Sequence, residues 1–493
     1  MYIRNEDTIC APATVPGTGA ISVIRVSGPD ALAIADNVIK CRKGNISESK
    51  GYTIKFGVIL DDAGAVLDEV LVSIFRAPHS YTGENSVEIS CHASSYIVSS
   101  VMNLLYAAGA HAAEPGEFTQ RAFLNGKMDL AQAEAVADVI ASQNAAAHRI
   151  AFKQMKGGFS SELKGMRSEL LELVSLMELE LDFSEEEVEF ADRSRLDSLL
   201  NQIIAHVSKL IDSFRLGNAI KNGVPVAIAG ATNTGKSTLL NALLGEDRAI
   251  VSDIHGTTRD TIEETLNIGG VLFRFIDTAG LRETSEVVEK IGIERTFKKI
   301  SEASIVLGMI DLTRDFDTTS ETVKEILDKV DFDTQKLVIL LNKTDICEVN
   351  KNVTMTNFIV SLLNIKGITS NITNTADLNH DSSENAEKKA TLVPISAKTG
   401  SGIEILRQIL ATSQRDLLGD SDTTLVTNQR HVQALSDART SLLRVREGLA
   451  SALPTDLAAQ DIREAIYHLG SIVGEISTDE VLGNIFRNFC IGK

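Results

Sequence analysis

The residues best suited to chemistry stand at Gly230-Ala231-Thr232-Asn233-Thr234-Gly235-Lys236-Ser237, a match to G-x-x-x-x-G-K-[ST]. The glycines let the backbone curl until its N–H groups converge on phosphate oxygens, and a following helix N-terminus adds a favourable dipole. Lys236 is expected to neutralise the β- and γ-phosphates and Ser237 to ligate Mg²⁺, with Thr238 completing the run. Three further clusters extend the set: Asp277-Thr278-Ala279-Gly280, Asn342-Lys343-Thr344-Asp345 and Ser396-Ala397-Lys398. Asp277 is placed to act on Mg²⁺ through water, and the Gly280 N–H to reach a γ-phosphate. Asp345 is a carboxylate that only accepts hydrogen bonds, so it suits the paired N–H donors of guanine and repels the N1 acceptor of adenine. Ser396–Lys398 has the place of a last base-contacting loop. The predicted chemistry is GTP binding and Mg²⁺-assisted hydrolysis.

Each cluster needs an element to hold it, and each has one. VPVAIAG precedes the phosphate loop and STLLNALLG follows it; VLFRFID, KLVILL and VPI lead into the other three clusters, and SIVLGMID is a further apolar run. Apolar runs alternating with helical patterns over residues 224–410 predict βα units around a largely parallel sheet. Before them, residues 1–120 mix strand-like runs (20–26, AISVIRV; 70–75, VLVSIF) with a helical stretch at 94–108, an α+β pattern. Residues 130–155 (LAQAEAVADVIASQNAAAHRIAFKQM) read as one amphipathic helix, followed by helices over 162–181 and 195–216. From about residue 427 the pattern is helical again. The expected architecture is multidomain: an α+β domain at 1–120, a discontinuous α-helical domain at 121–217 and 416–493, and an inserted α/β P-loop GTPase (Ras-like) domain at 218–415. Residues 349–391, rich in Asn, Thr, Ser and Asp, read as an insertion, the later part a long surface loop.

Composition sets outer limits. The chain has 493 residues, 43% apolar and 23% charged, as in ordinary globular proteins. Its formal net charge of -19 argues against direct, extended binding of nucleic acid, so any RNA contact needs a local basic patch or a partner protein. The five cysteines are widely spaced, with no CxxC pair, which suggests neither a disulfide framework nor a zinc site and fits a reducing compartment. The N-terminal MYIRNEDTICAP has no apolar core of signal-peptide length and no stretch reaches a membrane span, so a cytoplasmic protein with no membrane association is expected.

Three regions carry a resemblance to a known family. These are DTICAPATVPGTGAISVIRVSGP with YTGENSVEI and PGEFTQRAFLNGKMDLAQAEAV; GTTRD with DTAGLRETSEVVEKIGIER; and the tail LGNIFRNFCIGK. On these motifs the chain resembles the MnmE (TrmE) family of tRNA-modifying GTPases over nearly its whole length. The resemblance implies modification of C5 of the wobble uridine of certain tRNAs (aminomethyl or carboxymethylaminomethyl type). The one-carbon unit would come from a tetrahydrofolate derivative, in 5-formyl or methylene form, bound to the N-terminal domain. It implies a homodimer formed through N-terminal domains and a flavoprotein partner of the MnmG (GidA) type that holds FAD, in a heterotetramer or larger assembly.

The resemblance also distributes roles. Asn233, Ser252, Ile254 and Thr257 match K⁺ contacts, and the K⁺ would pair two GTPase domains and take the place of an arginine finger. Thr258 matches the switch threonine that joins Ser237 on Mg²⁺. The loop Ser252-Asp253-Ile254-His255-Gly256-Thr257-Thr258 lines the nucleotide. Glu289 matches a catalytic glutamate that orients the attacking water, although its local sequence alone reads as a helix-surface acid. Arg25, Glu88, Lys127 and Lys493 match folate contacts, and Cys490 matches a cysteine needed for tRNA modification. Departures from the family pattern are Thr232 in place of a proline, Ser252 in place of a threonine, and Ala93-Ser94 in place of glycines after His92. A ribosome-assembly GTPase resembling Era or Der would share the core, but the chain carries neither a second P-loop nor a basic RNA-binding segment.

Overall fold

The computed structural model describes residues 7–61, 63–182, 193–245, 263–276, 303–373, 388–413, 424–451, 455–476, 479–487, 489 and 492. They fall into two compact units: Met1–Ala141 with Arg149–Asp212 and Asn428–Lys493, and Ser142–His148 with Ser213–Thr427.

The first unit opens with β1 (Ile9–Pro12), β2 (Ile21–Ser27), α1 (Ala31–Val38), β3 (Ile39–Cys41), β4 (Thr53–Leu60), β5 (Val66–Phe75), β6 (Ser86–His92), α2 (Ser95–Ala107) and β7 (His111–Ala112). The strands form one sheet in the order β3-β4-β5-β6-β2-β1-β7, antiparallel except where β7 joins β1. Strand alternation decides which residues meet the core. In β2, Ser22, Ile24 and Val26 are buried, while Val23 and Arg25 lie on the other face, only partly covered. Ile24, Val26, Val70, Val72, Val87 and Ile89 pack with Ile34 of α1 and Val101 and Leu105 of α2 in one apolar core. The β2–β6 register sets Arg25 opposite Glu88.

Helices follow: α3 (Glu117–Leu124), α4 (Leu130–Ala141), α5 (Ala145–Met155), α6 (Gly158–Asp182) and α7 (Arg193–Asn222). The single helix expected over 130–155 is thus two. Apolar spacing continues through the junction, but the Asn144 side chain accepts the Ala147 N–H at 2.7 Å and starts a new helix there. This N-cap bond competes with continuation of the helical ladder.

The second unit contains β8 (Val224–Ala229), α8 (Lys236–Leu244), β9 (Glu263–Ile268), β10 (Val271–Ile276), β11 (Ile305–Asp311), α9 (Phe316–Leu327), β12 (Lys336–Asn342), α10 (Val349–Ile365), β13 (Thr369–Ile372), β14 (Lys389–Pro394) and α11 (Ile403–Ser413). The sheet order is β13-β14-β12-β11-β8-β10-β9, parallel except for the β9–β10 hairpin. Every residue of β11 is buried, as expected for a central parallel strand with both faces covered. Within residues 349–391, the first part is regular structure. Helix α10 buries Met355, Ile359 and Leu363, spaced four apart, and β13 extends the sheet edge. The later part, 374–387, lies outside the described residues.

The first unit is completed by α12 (Gln429–Ala450), α13 (Thr455–Val473) and α14 (Asp479–Phe486), with α13 packed against both α12 and α6. Buried Ala434, Leu435, Ala438, Leu442 and Val445 recur three and four apart on α12, giving it one apolar stripe. No helix among the described residues is long and apolar enough to cross a membrane.

Candidate functional site

In the second unit, the phosphate-loop residues lie between β8 and α8, at the carboxyl end of a central strand. Asn233 is left-handed (φ 61°), a conformation Asn tolerates better than most residues. Gly235 has φ 100°, and a Cβ there would sit 2.5 Å from Asn342 Nδ2, so the position excludes any side chain. The Thr234 hydroxyl donates to the Ala231 carbonyl at 2.9 Å, bracing the curl from within. Lys236 Nζ arches over the loop and donates to the carbonyls of Gly230 (2.7 Å) and Ala231 (2.9 Å). Burial, and secondly the Arg314 guanidinium, lower its pKa. An incoming phosphate offsets both effects, which makes the loop a fit for a polyphosphate. Ser237 and Thr238 occupy the first turn of α8.

Asn342 ends β12 and joins the other loops to this one. Its Nδ2 donates to the Thr234 carbonyl at 2.7 Å, and its Oδ1 accepts the Ala397 N–H at 3.0 Å. One buried amide therefore ties together three of the four clusters found in the sequence. Lys343 is also left-handed (φ 68°), and its Nζ donates to Asp311 Oδ2 at 2.7 Å. Asp311 was not singled out from sequence. Burial raises its pKa, but hydrogen bonds from Lys343 and from the Thr313 hydroxyl and N–H outweigh that and hold the carboxyl below its ordinary value. The available signal was an acid closing the otherwise apolar run SIVLGMID. Thr344 donates through Oγ1 to the Ile395 carbonyl at 3.0 Å, while Ser396 accepts the Thr399 N–H at its Oγ (3.2 Å). Asp345 and Lys398 are exposed on these loops.

Ser252, Asp253, Ile254, His255, Gly256, Thr257, Thr258, Asp277, Thr278, Ala279, Gly280 and Glu289 lie outside the described residues, as do Cys490 and Lys493.

The first unit brings together a second set. Arg25 donates from Nε (3.0 Å) and Nη2 (2.9 Å) to Glu88 Oε1, and from Nη1 to the Gly492 carbonyl at 3.4 Å. Its guanidinium carbon stands 5.2 Å from the Tyr81 ring centroid and 5.6 Å from that of Phe118. The tail is fixed here. Phe486 and Phe489 pack with Leu130 and Phe123, and left-handed Gly492 (φ 92°) passes so close to Pro12 that a Cβ would lie 2.3 Å from its carbonyl oxygen. Lys127 Nζ donates to the Pro78 carbonyl at 3.0 Å, so Lys127 and Arg25 both reach the segment 78–81. Behind this set, fully buried Arg121 binds Glu117 at 2.8 Å, Glu84 at 3.2 Å and the Asp7 carbonyl at 2.7 Å. Tyr81, Phe118 and Arg121 were not singled out from sequence, although YTGENSVEI and PGEFTQRAF contain them. A carboxylate acceptor and a guanidinium beside two aromatic rings suit a planar ligand with both N–H donors and carbonyl acceptors.

Comparison with known proteins identifies the family. The chain matches a family model described as GTP-binding protein TrmE N-terminus over residues 8–127, and one described as MnmE helical domain over residues 130–490. It is 51% identical to the tRNA modification GTPase MnmE of Parabacteroides distasonis over 491 residues, covering 99% of this chain and 100% of that protein. The tRNA modification GTPase MnmE of Bacteroides thetaiotaomicron is likewise 51% identical, over 494 residues, with 99% and 100% covered. That of Flavobacterium johnsoniae is 50% identical over 491 residues, again with 99% and 100% covered. Among solved structures, Aquifex aeolicus Era is 24% identical with a TM-score of 0.26, covering 44% of this chain and 66% of that one. With a P-loop GTPase core in one unit and family matches that extend over most of the chain, the chain belongs to the MnmE family of tRNA modification GTPases.

Proposed function

We propose that this GTPase modifies C5 of the wobble uridine of certain tRNAs, with a tetrahydrofolate derivative as one-carbon donor and a flavoprotein partner of the MnmG type for the redox step. The observation that carries this reading is the seating of the tail: the Gly492 carbonyl lies against Arg25, which is itself paired with Glu88. Gly492, two positions after Cys490 in the sequence, thus lies beside the Arg25–Glu88 pair of the N-terminal sheet. In this reading Arg25, Glu88, Lys127 and Lys493 hold the folate, residues 1–120 also form the homodimer, and 121–217 with 416–493 make the helical domain.

The nucleotide belongs to residues 218–415. Lys236 and the loop N–H groups hold its phosphates, Ser237 and Thr258 hold Mg²⁺, and Asp345 selects guanine. K⁺ near Asn233, Ser252, Ile254 and Thr257 supplies fixed positive charge, and Glu289 orients water. Support for the phosphate part is the geometry of the loop and the buried Asn342 amide that locks it to the base-contacting loops. The chain's net charge of -19 supports a division of labour in which the partner presents much of the positive surface to tRNA. The widely spaced cysteines support a cytoplasmic setting.

The test is nucleoside mass spectrometry of bulk tRNA from cells lacking the protein, complemented with the wild type or with Cys490→Ser. Loss of the C5-modified wobble uridine, restored by the wild type alone, is the expected result. A modification that persists in the deletion strain overturns the wobble-uridine reading.

A further inference from the structure

Arg314 stands outside the four sequence clusters and outside every role assigned above. It sits in the short connection between β11 and α9, which is pinned throughout. The Leu312 N–H donates to the Asn342 carbonyl (3.2 Å), the Thr313 N–H to Asp311 Oδ1 (3.0 Å), and the Arg314 N–H to the Asp311 carbonyl (3.3 Å). Asp315 then caps α9 by accepting the Thr318 N–H at 2.7 Å. From this fixed base the Arg314 side chain crosses to the phosphate loop, where Nη2 donates to the Thr232 carbonyl at 2.5 Å.

That bond fixes a peptide plane. In a planar trans peptide the C=O and the next N–H point in opposite directions. A Thr232 carbonyl drawn outward to Arg314 therefore turns the Asn233 N–H away from Arg314, and Asn233 takes its left-handed conformation (φ 61°) directly after that plane. Asp311 extends the connection: its Oδ2 binds Lys343 at 2.7 Å and lies 3.8 Å from Arg314 Nε.

We propose that Arg314 is a positioning residue for GTP hydrolysis: it braces the Thr232–Asn233 peptide of the phosphate loop and, through Asp311 and Lys343, couples that loop to the guanine-recognition loop. The brace bonds to loop backbone and to Asp311. It sets the direction of one loop N–H and the place of Asn233, while Lys236, Asn342 and Asp345 still hold the ligand. This inference rests on the GTP reading of these loops.

The test compares steady-state GTP hydrolysis by full-length wild type, Arg314→Ala and Arg314→Lys, with Lys236→Ala as control and thermal melting of each protein. For Arg314→Ala, loss of a charge-assisted bond at a partly exposed site predicts a kcat reduced about 5- to 20-fold, with KM changed by less than about threefold. Arg314→Lys, which still donates to the carbonyl, should return to within about threefold of wild type, and melting should not change. An Arg314→Ala enzyme within about twofold of wild type overturns the brace, and so does Arg314→Lys crippled as severely as Arg314→Ala. Should Arg314→Ala not fold, Arg314→Gln carries the same comparison. A wild type that turns over no GTP, or a Lys236→Ala protein that turns it over equally fast, sinks the GTP reading itself and is distinguishable from failure of the brace alone.

Discussion

Asn342 shows how a residue read from a motif acquires a second task in the fold. The sequence pattern assigns it to base recognition, but its amide is buried and both ends are used by backbone, the Thr234 carbonyl on one side and the Ala397 N–H on the other. Asn342→Ala leaves two buried groups without partners, at about 1–3 kcal/mol each. The expected outcome is a loss of at least about 30-fold in affinity for GDP and GTP alike. Titration with a fluorescent guanine nucleotide checks it; affinity within a few-fold of wild type would show that the loops hold their geometry without this amide. The motif residues themselves were legible because phosphate and guanine chemistry allow few residue types at fixed spacing. Asp311 and Arg314 were not, because an acid and a base with no motif of their own gain meaning only when β11 and the loop after it are laid beside β8 and β12.

At the scale of elements, local signals and long-range pairing separate. The strand runs before each motif were legible, since buried parallel strands such as β11 and β12 are continuous apolar stretches. The break between α4 and α5 was not, because alanine-rich spacing continues across residues 142–144 and only the Asn144 cap interrupts it. Nor did any local signal mark the buried ion cluster that joins α4 to α12. Glu134 of α4 accepts from Arg430 Nη2 at 2.8 Å, from the His431 ring at 2.6 Å and from Asn428 Nδ2 at 3.0 Å, partners almost 300 positions away in sequence. Burial raises the Glu134 pKa, but His431 and Arg430 together outweigh it and bring it from 4.5 down to about 2. A carboxyl with a depressed folded-state pKa contributes stability that is complete above its unfolded value and is lost as the pH falls through the folded one. The cluster should therefore hold the first unit together at pH 5 and above and weaken between pH 4.5 and about 2. Glu134→Gln leaves half-buried Arg430 and buried His431 without their acid and should cost about 3 kcal/mol at neutral pH. It should also flatten the stability loss over that acid interval. Urea unfolding at pH 7 and pH 3 measures both; a variant as stable as wild type at pH 7 would mean the cluster adds nothing to the fold.

At the scale of the whole molecule, the nucleotide site belongs to one compact unit and the Arg25 set to the other. The sequence announces the first by motif, but places the tail and the N-terminal sheet at opposite ends of the chain, 467 positions apart at the Arg25–Gly492 contact. The two sites can therefore be broken separately, and Gly492 is the position to break. Its φ of 92° is one that L side chains rarely adopt, and a Cβ would stand 2.3 Å from the Pro12 oxygen, a backbone atom that cannot swing aside. Gly492→Ala must move the tail off Pro12 or strain it there, at about 1–2 kcal/mol for the left-handed conformation alone. If the Arg25 set binds a tetrahydrofolate, the displaced tail should weaken 5-formyltetrahydrofolate binding at least about tenfold in a calorimetric titration. GTP turnover by the same protein should stay within about twofold of wild type, because no residue of the second unit is altered. Unchanged folate affinity would remove the tail from that site, and with it the main support for a one-carbon step at the N-terminal sheet. A joint loss of folate binding and of GTP turnover would instead overturn the independence of the two sites.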